Sequence, residues 1–126
     1  APVTVVKICD RSISGLAFSP KGAYLAVCDD SRVAFMDTKS GKSIGSSLRP
    51  HTPPIKSLAF SPDGKTLATG TGSGRIILWD FNSRRKIGQE LKGHDEAYIP
   101  TLAYSGNGKS LFSCGGNGSI MEWRFP

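Results

Sequence analysis

The stretch Leu58-Ala59-Phe60-Ser61-Pro62-Asp63-Gly64-Lys65-Thr66-Leu67-Ala68-Thr69-Gly70-Thr71-Gly72-Ser73-Gly74-Arg75-Ile76-Ile77-Leu78-Trp79-Asp80 decides the fold. Its apolar opening stops at Ser61-Pro62-Asp63-Gly64, where proline fixes φ and glycine accepts a left-handed turn. A second strand is expected over Thr66 to Thr69, ended by the glycine-studded hairpin Gly70 to Gly74. A third, Arg75 to Asp80, alternates and closes on Trp-Asp. Strands this short with turns this close predict a small antiparallel meander.

The same pattern stands twice more. Phe18-Ser19-Pro20-Lys21-Gly22, Phe60-Ser61-Pro62-Asp63-Gly64 and Tyr104-Ser105-Gly106-Asn107-Gly108 align at steps of 42 and 44 residues. Leu25, Leu67 and Leu111 follow at a constant offset, and Met36-Asp37, Trp79-Asp80 and Trp123-Arg124 close the units. Self-similarity at about 40–45 residues, ending in Trp-Asp, resembles the WD-repeat β-propeller family. That resemblance implies an all-β chain of three four-stranded antiparallel blades, an incomplete ring or one closed by oligomerisation. Residues 1–126 then form one propeller segment, with units of about 1–37, 38–80 and 81–126.

A repeat unit cannot bury its apolar face alone and must stack on its neighbours. With 15 glycines and 8 prolines the 126-residue chain is dense in turn formers. No apolar run approaches the ~20 residues that span a membrane. Ala1 to Val6 lacks the basic start and long apolar run of a signal peptide, and the missing initiator Met suggests a processed or excised segment. Cys9, Cys28 and Cys114 have no zinc-ligand spacing. They are expected to be small buried fillers, which favours an intracellular setting, cytoplasmic or nuclear.

The net charge of +6 makes nucleic acid or anionic lipid an alternative partner. Against it, only Ser83-Arg84-Arg85-Lys86 is a basic cluster, and it falls on a connection where a solvated polar turn is expected. No aromatics alternate with the basic residues to supply stacking platforms.

In chain order, Val3 to Ile8 is expected to be an outer strand, Ile13 to Phe18 an innermost one and Ala23 to Cys28 the second. Arg32 to Asp37 follows as the third strand and Ser43 to Leu48 as the outer one. The middle unit ends with an outer strand at Lys86 to Leu91, and the last unit stops after a third strand, Ser119 to Trp123. In this family an N-terminal outer strand completes the last blade and removes the open edge. Three blades fall short of the family's roughly 4–8, so the phase predicts either part of a longer propeller or self-association, two copies making six blades.

In the family, a His before the first strand, a Ser or Thr in the second, an Asp in the hairpin and the Trp form a buried hydrogen-bonded tetrad. The resemblance places His51, Thr69, Ser73 and Trp79 at those positions in the middle unit, and His94, Ser113, Asn117 and Trp123 in the third. Both lack the Asp. The first unit has Asp30 but Cys9, Val27 and Met36 elsewhere, so no network is expected there. The two histidines occupy matching repeat positions, which argues for structure rather than catalysis. No nucleophile stands beside a base and an orienting acid in any recognisable motif, and Gly70 to Gly74 precedes a strand rather than the helix a phosphate loop needs. No catalytic, metal or cofactor site is expected.

The function implied by the resemblance is a non-enzymatic scaffold for a protein or peptide. Its contact face comprises the loops before the first strands and the hairpins between second and third strands. Carried over by position, the contact residues are Ser12, Ser14 and Asp29, then Pro54, Lys56 and Gly72, then Tyr98, Pro100 and Gly116.

Overall fold

The computed structural model describes residues 5, 7–9, 11–45, 47–49, 54–93, 99, 101–116 and 118–125. Every named element is a strand. The first blade holds β1 (Gly15–Phe18), β2 (Tyr24–Cys28) and β3 (Val33–Asp37). The second holds β4 (Ile55–Phe60), β5 (Thr66–Thr71) and β6 (Arg75–Asp80), with the short β7 (Arg85–Lys86) and β8 (Leu91–Lys92) both on the free edge of β6. The third holds β9 (Thr101–Tyr104), β10 (Ser110–Cys114) and β11 (Ile120–Arg124). The three sheets are antiparallel, with three, five and three strands.

The first turn of each blade is one device used three times. Gly22, Gly64 and Gly108 all have φ near +74°. Each glycine's amide donates to the carbonyl of Ser19, Ser61 or Ser105 at 2.8–2.9 Å. The same serines' hydroxyls accept the amides of Tyr24, Thr66 and Ser110, at 3.0, 3.0 and 3.1 Å. Serine therefore ties both sides of the turn, which explains why Gly106 can stand where the other units have proline. At the opposite strand ends, β5 runs to Thr71, two residues beyond the expected stop, and leaves a tighter hairpin.

The outer strands depart most from expectation. Among its described residues, Ser43 to Leu48 makes only isolated bridges, Met36 to Ser43 and Val33 to Leu48. The Lys86 to Leu91 strand is split into β7 and β8. Both interruptions sit at left-handed glycines, Gly45 with φ of 61° and Gly88 with φ of 65°, which lift the backbone off the ladder. Of the expected strand Val3 to Ile8, residues 5, 7 and 8 are not in strand conformation, and residues 3, 4 and 6 lie outside the described ones. An outer strand needs a third strand beside it; here Cys9 instead packs on Val27 and Ala34, and Arg32 Nη2 donates to the Ile8 carbonyl.

Two apolar layers join the blades. Between the first and second, Ala26, Phe35, Leu58, Leu67, Ile77 and Trp79 pack together. Between the second and third, Ala59, Ala68, Ile76, Ile99, Leu102 and Leu111 do the same. Adjacent positions of β5 and β6 serve opposite layers, as strand alternation requires. In the turn expected to be solvated, Ser83, Arg85 and Lys86 are exposed but Arg84 departs: at φ of 61°, its guanidinium lies over Phe35 of the first blade and Phe81 of the second.

Candidate functional site

The candidate face is the end of the blades where β1, β4 and β9 begin and the β2–β3, β5–β6 and β10–β11 hairpins turn. Side chains that hold this face together must be separated from those it presents.

Ser14 belongs to the first group. Its hydroxyl donates to the Ile55 carbonyl at 2.8 Å, linking the first blade to the second. Ser57 repeats this one unit later, donating to the Ile99 carbonyl at 2.8 Å while buried. Sequence reasoning missed Ser57, because a register shift between Ile55 and Ser57 moves it one place from the position matching Ser14. The signal was present as a serine directly before the apolar run Leu58-Ala59-Phe60 of an innermost strand. The same bulge carries Lys56, whose Nζ reaches 3.8 Å from the Asp30 carboxylate across the junction. That pair is largely solvated and contributes little stability.

Asp29 corrects an expectation. It was to face a ligand, yet it is 2% exposed. Its Oδ1 accepts the Ser31 amide at 2.8 Å, the Ser31 hydroxyl at 3.0 Å and the Arg32 amide at 3.0 Å. Thr71 holds the matching place in the second blade, its hydroxyl accepting the amides of Ser73 and Arg75 at 3.3 and 3.2 Å. This corner points into the blade, so its polar group closes the hairpin instead of meeting a partner.

Burial alone would raise the Asp29 pKa, but the Ser31 and Arg32 hydrogen bonds and the Arg32 charge outweigh it and hold the carboxyl below its ordinary value. A depressed folded-state pKa adds stability that is complete above the unfolded value of about 4 and is lost as pH falls below it. Asp29→Asn should therefore cost about 1–3 kcal/mol at pH 7, as loss of a charge-assisted hydrogen-bond set. The deficit should shrink toward pH 3 in urea titrations; a deficit constant between pH 7 and 3 would contradict this role.

The tryptophans also work inside the blades. Trp79 Nε1 donates to Thr69 Oγ1 at 3.1 Å, and Trp123 Nε1 to Ser113 Oγ at 2.9 Å. Ser73 does not extend that chain; its hydroxyl pairs with Thr71 at 3.1 Å. His51, His94 and Asn117 lie outside the described residues, as do Tyr98 and Pro100.

Ser12, Pro54 and Gly116 remain exposed at this end, and Lys56 and Gly72 are half-buried. The Gly72 amide donates to the Pro54 carbonyl at 2.7 Å, which ties the hairpin to the loop. Between the innermost strands a hollow of about 260 Å³ is lined by Ser14, Leu16, Lys56, Ser57 and Thr101. Another of about 260 Å³ is lined by Arg11, Asp29, Ser31, Arg32 and Arg49. Among the described residues no group of three or more His, Cys, Asp or Glu could hold a metal ion. Burial pushes the Cys28 thiol up, away from the reactive thiolate. What this face offers is a set of short, tethered loops with backbone groups, two small hollows and cations.

The model of the family described as "WD domain, G-beta repeat" matches residues 2–37, 41–80 and 85–124. The chain is 35% identical over 97 residues to the Poly(A)+ RNA export protein of Schizosaccharomyces pombe, covering 75% of this chain and 27% of that protein. It is 37% identical over 81 residues to COMPASS component SWD1 of Saccharomyces cerevisiae, covering 61% and 19%. With WD repeat-containing protein VIP3 of Arabidopsis thaliana it shares 34% over 109 residues, covering 75% and 34%. The chain thus spans between a fifth and a third of the length of these relatives.

Proposed function

Because the chain belongs to the WD-repeat family, we propose that it is a non-enzymatic scaffold holding a protein or peptide on the face just described. The observation that carries this reading is the division of labour at that face. Ser14, Ser57, Asp29 and Thr71 spend their polar groups on the frame, which leaves Ser12, Pro54, Lys56, Gly72 and Gly116 for contact. Tyr98 and Pro100 complete the proposed set. A relative described as a COMPASS component is a member of a larger assembly by its wording, which supports protein partners here. The free thiols Cys9, Cys28 and Cys114 suit an intracellular setting, and no helix of the described residues is long and apolar enough to cross a membrane.

The outward flanks carry apolar side chains, Phe18 at 60% exposure on the first blade and Ile120 at 71% on the third. We read them as seats for further blades, from a longer propeller or a second copy. Photo-crosslinking groups placed at Gly72 and Gly116 should capture a partner, whereas one at Asn82 on the opposite face should not. Equal capture from all three positions would overturn the assignment.

A second reading, an anionic partner such as nucleic acid or lipid, keeps one observation: Arg11, Arg32 and Arg49 share the hollow beside Asp29. Phosphate contacts make affinity fall steeply with salt, so the salt dependence of the captured complex separates the two readings.

A further inference from the structure

The chain's net charge of +6 is not spread evenly over the molecule. The end opposite the candidate face is made of the β1–β2, β4–β5 and β9–β10 turns and the turns that leave β3 and β6. Lys21, Lys65 and Lys109 stand on the first kind of turn, Lys39, Lys42 and Arg85 on or directly beside the second, and all six are exposed. With Arg84 among the rings beneath them, seven cations stand against Asp37, Asp63 and Asp80, so +4 of the net +6 lies at this end.

The carboxylates here are committed to their own turns. Asp37 Oδ2 accepts the Ser40 hydroxyl at 2.9 Å, and Asp80 Oδ2 accepts the Ser83 amide at 2.8 Å. Asp63 Oδ1 accepts the Ser61 hydroxyl at 2.6 Å and the Lys65 amide at 2.9 Å. Among the described residues none of the three comes within ion-pair distance of a cation. Elsewhere the chain pairs its charges: Arg75 with Glu90 at 3.1 Å, Arg124 with Glu122 at 3.2 Å and Lys56 with Asp30 at 3.8 Å. The six exposed cations are thus left to repel one another across one end of the molecule.

The turns that carry them are continuous. A Cβ at Gly64 would lie 3.4 Å from Pro20 Cδ, and one at Gly108 3.4 Å from Pro62 Cδ, so turns of adjacent blades touch. Lys21, Lys65 and Lys109 ride this row. Lys39, Lys42 and Arg85 form a second row, nearer the outer strands. Blades stack through their sheet faces, and stacking leaves these strand ends uncovered.

We propose that this end rests on the surface of an anionic phospholipid bilayer, with the scaffold face turned away from it. A bilayer presents negative charge over a plane, and clusters of about four to eight Lys and Arg are drawn to it. Two rows spread the charge in two dimensions, whereas a single nucleic-acid strand asks for a line of cations with stacking platforms. Five of the six exposed cations are lysines. Lysine is a point charge on a flexible stem, without the planar fork that grips one phosphate, and so suits a diffuse headgroup layer. Tyr24, 37% exposed beside the first turn, adds an amphipathic ring of the kind found at headgroup level. The proposal goes beyond the scaffold reading, uses the other end of the blades and fails separately from it.

The test is co-sedimentation of the whole protein with phosphatidylcholine vesicles, alone or carrying about 30% phosphatidylserine. Binding should require phosphatidylserine and should disappear between about 0.1 M and 1 M salt, as the Debye length shrinks from ~10 Å to ~3 Å. Lys21→Gln, Lys65→Gln and Lys109→Gln together should weaken it about tenfold or more. Arg11→Gln with Arg49→Gln, beside the hollow at the scaffold face, should leave it unchanged. On the unaltered protein, lysine acetylation should be slowed by the anionic vesicles at Lys21, Lys65 and Lys109 but not at Lys56. No binding, equal binding to both kinds of vesicle, or an undiminished affinity in the triple variant would overturn the proposal. So would a loss with the Arg11 and Arg49 pair, equal protection of Lys56, or tighter binding to RNA than to vesicles of the same phosphate content.

Discussion

Trp79→Ala should lower the unfolding free energy by about 3–5 kcal/mol, the range for truncating a buried Trp. The ring is 6% exposed and joins the layer between the first two blades with Leu58, Leu67 and Ile77. Its loss opens a cavity at that junction and also leaves the buried Thr69 hydroxyl without its indole donor. Met36→Ala, at the matching place in the first blade, should cost about 2 kcal/mol or less. Met36 is only half-buried, and Val27 stands where Thr69 would. Chemical denaturation of the two variants side by side checks this; a larger loss for Met36→Ala would show that the two positions are not equivalent.

Gly70→Ala should rank next, at about 2–4 kcal/mol from overpacking plus a disturbed hydrogen bond. A Cβ at Gly70 would come 2.5 Å from Ser57 Oγ and 2.9 Å from Ile99 Cγ2. Those atoms form the link between the second and third blades, Ser57 Oγ donating to the Ile99 carbonyl. The first blade reverses the sizes at this cross-strand pair. Cys28 faces Gly15 there, whereas Gly70 faces Ser57. Adding Ser57→Gly to Gly70→Ala should therefore relieve the contact with Ser57 Oγ, but neither the one with Ile99 nor the lost hydrogen bond. A cost below about 1 kcal/mol for Gly70→Ala alone would show that the blades do not press together as tightly as these distances require.

These two positions show how unevenly the molecule could be read in advance. The tryptophan pairs with Thr69 and Ser113 follow from local spacing, since a hairpin in register brings the second and third strands of one blade side by side. The exchange of small and large residues across Gly15, Cys28, Ser57 and Gly70 needs the register, the bulge at Ile55 and the position of Ile99 in the next unit. The candidate face divides in the same way. That Pro54 and Gly72 share one strand end was legible, but that Asp29 turns inward was not, because Asp is equally at home in a hairpin whichever way its side chain points.

By itself the sequence determined the all-β class, the three-unit period, the serine–glycine turns and the order of strands within each blade. These depend on residues a few places apart and on strand alternation, which any short segment expresses without its neighbours. The tertiary structure decided which polar side chains hold the frame, where the outer strands break at Gly45 and Gly88, and that Arg84 leaves the surface for the aromatic junction. Each of those depends on what one blade presents to the next. Burial, and the cost of an unpaired polar group that comes with it, is settled only when the apolar layers close.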